Sequence, residues 1–260
     1  MPLTYSSYLR IDELLDLQRP VSDGPEHDEL LFIVIHQVYE LWFKELLHEI
    51  DYLRGLLERR DAPRAQHTLK RVLTILKVSV AQIDILETMT PLEFLTFRER
   101  LESGSGFQSF QFRELEFVLG MKHAAALDRY PEGSDHRRRL ERRLAGPTLW
   151  DSFLRYLHGA GFAVPREALE RDVTAPVTEL PALQRVLIDV YRRDPTAASL
   201  CERLVDLDEG VQEWRYRHVK MVERTIGTKR GTGGSEGAAY LHTTLNRPCF
   251  PDLWAIRGNL

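Results

Sequence analysis

The chain has 260 residues, 43% of them hydrophobic and 28% charged, which suffices for a full core and excludes a disordered segment. Its 35 basic and 39 acidic residues give a formal net charge of -4, so neither nucleic acid nor an anionic membrane is attracted globally. Two cysteines, Cys201 and Cys249, exclude a disulfide scaffold, and without a C-x-x-C there is no zinc, iron–sulfur or c-type haem motif. A reducing cytoplasm is the expected compartment. No basic region followed by an apolar run opens the chain, and the most apolar stretch, Leu30 to Phe43, is interrupted by His36, Gln37 and Glu40. No membrane span is expected.

Nearly all periodicity is helical. From Pro25 to about Arg60, Leu31, Ile35, Val38, Trp42 and Leu46 recur at three to four residues beside a second stripe of Phe32, His36, Tyr39 and Phe43. A helix apolar over so wide an arc must be central. After Asp61-Ala62-Pro63, a second helix is predicted from about Arg64 to Thr88, with Leu69, Leu76, Val80 and Ile83 inward and Lys70, Arg71 and Lys77 outward. Thr90-Pro91-Leu92-Glu93 reads as a capping box with proline in the first turn, opening a short helix that ends near residues 103–106. Further helices are predicted over 109–120, 148–158, 180–193 and 196–226. Period-two strands are absent, so the fold class is all-α: a single-domain helical bundle over 1–260 with a smaller inserted helical portion at about 125–195.

Four features bear on chemistry. His218 continues the apolar seam Leu204, Leu207, Val211, Trp214 of the last long helix, either as a hydrogen-bonded core histidine or as an axial haem ligand. Lys229 to Gly237 follows it, a glycine-dense loop that matches neither the dinucleotide fingerprint, since Glu236 stands where glycine is required, nor a Walker A loop. Arg98 stands among Phe94, Phe97 and Phe107, and a guanidinium in apolar surroundings needs a carboxylate, from the protein or from a bound amino acid. Judged alone, His36 is a satisfied buried histidine, a metal ligand or a polar group over a reactive centre. His36 and Glu40 suggest a dimetal helix, but the repeated Glu-x-x-His pairs of such bundles are missing. The basic run His136 to Arg143 reads as a solvated helix face and not as a phosphate-binding surface.

Several long ordered segments then carry a specific resemblance: YSSYLRIDELL (Tyr5–Leu15), HDELLFIVIHQVYELWFKELLHE (His27–Glu49), LETMTPLEFLTFRERLESGSGFQSFQFRELE (Leu86–Glu116), WRYRHVKMVERTIGTKRGTGGSEG (Trp214–Gly237) and FPDLW (Phe250–Trp254). Along nearly its whole length the chain resembles the tryptophan 2,3-dioxygenases. The resemblance implies haem b, with His218 as the proximal iron ligand and Ser105 near haem and substrate. It implies His36 as the distal histidine facing the indole nitrogen, Arg98 as the carboxylate-binding residue and Thr232 at the amino-acid end of the substrate. Phe32, Phe94 and Leu101 correspond to the apolar walls around the indole. Tyr5, Tyr8 and Leu9 match an N-terminal segment that reaches a neighbouring subunit's site, which implies a homotetramer.

The implied reaction adds both atoms of O2 across C2–C3 of the indole of L-tryptophan, giving N-formyl-L-kynurenine. Three positions depart from the family pattern: Glu236 where serine is expected, Phe94 where some relatives have tyrosine, and Ile83 in a region where tryptophan is frequent. Alternative readings are a divergent member oxygenating a substituted tryptophan or other indole, and a non-catalytic haem-binding protein. Nucleic acid and membrane partners are not expected.

Overall fold

The computed structural model describes residues 2–24, 26–102, 104, 106–229 and 238–260, with only the backbone described at Phe107. The helices in chain order are α1 (Tyr5–Leu9), α2 (Ile11–Leu15), α3 (His27–Glu58), α4 (Ala62–Leu86), α5 (Pro91–Arg98), α6 (Phe110–Val118), α7 (Asp135–Ala145), α8 (Leu149–Gly159), α9 (Arg166–Leu169), α10 (Pro181–Arg193), α11 (Pro195–Ile226), α12 (Ala238–His242) and α13 (Pro251–Ala255). Among the described residues there is no strand, and the fold is all-α. None of the described helices is long and apolar enough to cross a membrane.

The helix starts follow local chemistry. The Thr90 hydroxyl accepts from the Glu93 amide at 3.4 Å while the Glu93 carboxylate accepts from the Thr90 amide at 2.6 Å, the capping box read from sequence. The observed starts differ from the prediction by at most two residues, as at α4 and α11. Asp61 caps α4 by accepting from the Arg64 amide, so Pro63 lies inside the first turn, where its missing N–H costs nothing. Asp194 likewise accepts from the amides of Thr196 and Ala197, and Pro195 opens α11.

The central layer is formed by α3, α4 and α11. Leu53 and Leu56 of α3, Ala65 and Val72 of α4, and Leu204 of α11 are at most 1% exposed within one continuous core. Gly210 permits the close approach of α11 to α4, since a Cβ there would lie 2.7 Å from Leu76 Cδ2. Trp150 and Phe153 of α8, and Leu183 and Leu187 of α10, belong to this same core. A separate small cluster, Phe117, Ala126, Leu127, Tyr130 and Leu140, joins α6 to α7.

The basic run of α7 is not simply a solvated face. Arg143 makes two 2.6 Å bonds to Asp51 of α3, and Arg139 and Arg143 both reach the buried Glu114 of α6. Arg139 and His136 also lie against the Phe110 ring. Half the run therefore docks α7, a role that helical periodicity alone does not display. The buried Lys122 completes the junction by donating to the carbonyls of Arg143, Leu144 and Gly146, at 2.5, 2.7 and 2.7 Å, where α7 ends.

Candidate active site

A largely apolar cavity of about 230 Å³ opens among α3, α4, α5, α6, α11 and α12, and it gathers residues from six separate stretches of sequence. Phe32, His36, Phe94, Arg98, Leu101 and His218 all line it. Tyr5, Tyr8 and Leu9 do not; they project from α1 and are 75%, 70% and 42% exposed. Ser105, Thr232 and Glu236 lie outside the described residues.

His36 sits one helical turn after Phe32, and its Nδ1 is 2.7 Å from the Phe32 carbonyl oxygen. A carbonyl can only accept, so Nδ1 carries the proton. Burial pushes the His36 pKa below 6.5, opposed by that hydrogen bond and by the nearby Glu40 charge. The ring is thus neutral at physiological pH, and Nε2 remains an acceptor. The Phe32 ring tilts against it with centroids 4.1 Å apart, and Phe94 and Phe97 pack on Phe32 at 5.8 and 5.5 Å. An aromatic slot therefore adjoins a single hydrogen-bond acceptor.

His218 has no comparable partner: among the described residues its ring makes no hydrogen bond. Its ring lies parallel to that of Trp214, with centroids 5.0 Å apart and planes 5° from parallel. Desolvation in the cavity wall lowers its pKa to about 4, so it too is neutral. A buried imidazole with lone-pair capacity and no protein donor is suited to a metal in the cavity. Among the described residues no group of three or more His, Cys, Asp or Glu side chains could hold a metal ion.

Arg98 closes α5, where the capping box of Thr90 and Glu93 sets the helix phase that places Phe94 and Arg98 in one wall. The phase predicted from sequence is the one observed. Ile83, noted as a departure from the family pattern, is 1% exposed and also lines the cavity, so its branched side chain shapes the apolar wall.

Sequence reasoning missed three charged residues in the same cavity. Glu116 accepts from Arg113 at 2.5 Å and from Arg215 at 2.6 Å, and all three side chains are 5–7% exposed. A signal was present: Arg113 and Glu116 share a helix with Leu115, Phe117 and Val118, all of them buried.

Comparison with known proteins gives the family. The family model described as tryptophan 2,3-dioxygenase matches residues 1–157 and 177–260, leaving out a stretch that contains α9. The tryptophan 2,3-dioxygenase of Herpetosiphon aurantiacus is 64% identical over 258 residues, covering 99% of this chain and 98% of that protein. That of an Anaeromyxobacter species is 60% identical, covering 99% and 96%, and that of a Nocardioides species 49%, covering 99% and 95%. With a family match over most of its length and relatives this similar from end to end, the chain belongs to the tryptophan 2,3-dioxygenase family.

Proposed function

We propose that this protein is a haem-dependent dioxygenase converting L-tryptophan and O2 to N-formyl-L-kynurenine. The observation that carries the reading is the meeting, in one largely apolar cavity, of an acceptor-only His36 Nε2, a His218 with no hydrogen-bond partner among the described residues, and Arg98. The residues present suit haem b: the neutral imidazole of His218 would hold its iron, among rings and aliphatic side chains that line the cavity. Haem held by His218 would supply a redox-active iron for dioxygen.

The remaining work falls to the chain. Arg98, with a planar fork of donors, binds the substrate carboxylate, and Phe32, Phe94 and Leu101 hold the indole in one plane. His36 Nε2 accepts from the indole N–H, which orients C2 and C3 without removing the proton, since an indole N–H is too weak an acid to be taken by so weakly basic a ring. Fixing these contacts beforehand converts an encounter into a positioned reaction. Both oxygen atoms enter the product, the C2–C3 bond breaks, and no external reductant is consumed in the turnover.

Ser105 and Thr232 take the roles that the resemblance implies, close to haem and at the substrate's amino-acid end. Tyr5, Tyr8 and Leu9, with Leu3, Leu15 and Leu17, leave an apolar arm exposed at 42–77%, which suits burial against another copy and supports a homotetramer with shared sites. Two buried free cysteines suit a reducing cytoplasm.

The test is reconstitution with haem, reduction, and addition of L-tryptophan and O2, followed by absorbance and mass. Product with the N-formylkynurenine spectrum and two added oxygen atoms is expected. Haem binding without that product, or a one-oxygen product, would overturn the reading.

A further inference from the structure

The cluster of Arg113, Glu116 and Arg215 forms a charged patch in the wall of a largely apolar cavity that Arg98 and Glu40 also line. Two guanidiniums face one carboxylate, so the group carries a net positive charge at 5–7% side-chain exposure. An uncompensated buried charge is costly unless something of opposite sign meets it. Among the described residues, Glu116 is the sole carboxylate that reaches either arginine.

The hydrogen bonding is also incomplete. Arg215 donates to Glu116 and, at 3.0 Å, to the carbonyl of Thr244. Arg113 makes one bond, to Glu116, although a guanidinium carries five N–H donors. The rest of this fork is nine-tenths buried, lies in the cavity wall, and has no acceptor among the described residues. Both arginines are held in place from the protein side, Arg113 by its helix neighbour Glu116 and Arg215 by the same carboxylate across 99 positions of chain. A planar, pre-organised pair of donors matches a carboxylate in two-pronged fashion.

We infer that Arg113, supported by Glu116 and Arg215, is a carboxylate-binding site within the cavity and that it takes a propionate of the haem. The inference rests on the proposed haem-dependent function. Arg98 already serves the substrate carboxylate from a different helix, and haem b brings two carboxylates of its own that need a cationic seat once water is excluded. Neutralising the cluster with a propionate removes the buried excess charge and satisfies Arg113 in one step.

The experiment compares release of haem b with release of its dimethyl ester, in which both propionates are capped, from the reconstituted chain to a haem-scavenging globin. In the parent chain the ester should leave at least about tenfold faster, the order expected when a buried charged hydrogen bond loses its partner. In Arg113→Met, haem b should leave as fast as the ester, and the ester at its parental rate. Arg113→Lys, which keeps the charge with fewer donors, should show an ester effect smaller than the parent's, and it serves alone if circular dichroism shows that Arg113→Met does not fold. An ester effect of parental size in the variants overturns the inference. So does a collapse of the preference for tryptophan over tryptamine in Arg113→Met, which would give Arg113 to the substrate carboxylate. A parent chain that binds neither haem nor its ester sinks the haem reading itself, an outcome distinct from binding without coupling at Arg113.

Discussion

The Nδ1 of His36 lies 2.7 Å from the carbonyl oxygen of Phe32, one turn earlier in α3, and this bond decides which face of the imidazole meets the cavity. The tautomer is set by the helix itself, because the Phe32 carbonyl can only accept. In the proposed site an indole N–H would meet an acceptor without any rearrangement of the ring.

A pH dependence follows. The His36 pKa in the folded chain is depressed by burial below 6.5, so the acceptor is kept at neutral pH and is lost only as pH falls through that lowered value. Tryptophan affinity should show no inflection near 6.5 and should weaken at more acidic pH. For stability the sign is the same. The unfolded chain takes up the His36 proton near 6.5 while the folded chain does not, so His36 costs stability as pH falls below 6.5. Titration of tryptophan binding by absorbance between pH 5 and pH 8 checks the first statement; an inflection at 6.5 that vanishes in His36→Ala would contradict it.

Replacement of Arg98 by alanine should weaken tryptophan binding by roughly 2–5 kcal/mol while haem absorbance is unchanged, if Arg98 binds the substrate carboxylate as proposed. Tryptamine, which lacks the carboxylate, should bind parent and variant alike. Equal losses for both ligands would place Arg98 outside substrate recognition.

His218→Leu should abolish axial ligation of haem, read from the loss of a histidine-type Soret spectrum, with partial return on adding imidazole. The haem-free variant should keep its stability within about 1.5 kcal/mol, since the ring makes no hydrogen bond to the described residues and an apolar replacement of similar size fills the space. A large loss in urea unfolding would mean that His218 is primarily structural.

Asp208 is fully buried in α11 and accepts from the Phe250 amide at 2.9 Å, Trp254 Nε1 at 3.0 Å and Gln212 at 3.1 Å. Asp208→Ala should cost about 2–4 kcal/mol in urea unfolding, because a buried amide and an indole N–H lose their acceptor and the tail around α13 loses its anchor on α11. A change below about 0.5 kcal/mol would show that water replaces the carboxylate there.

Lys122→Met should destabilise by roughly 2–3 kcal/mol, since the carbonyls of Arg143, Leu144 and Gly146 would share no donor at the end of α7. Hydrogen exchange should localise the loss to α7 and not to α3 or α4. Uniform loosening of the whole bundle would refute that assignment.

Much of this molecule was legible before any coordinates. The 3.6-residue period of α3, α4 and α11, the Thr90–Glu93 capping box and the placement of Phe94 with Arg98 and of Phe32 with His36 depend on atoms within one helical turn, so residue order alone determines them. Long ordered motifs also carried the family. Tertiary structure decided what lies beyond that range: Glu116 between Arg113 and an arginine 99 positions away, Arg143 against Asp51, and His218, with no hydrogen-bond partner among the described residues, in the cavity that His36 also lines. Periodicity identifies which face of a helix is buried, but which charge meets which, and which polar group is left facing a cavity, depends on how separate helices pack. In this chain those packing choices turn a buried arginine from an ordinary ion pair into a candidate ligand site.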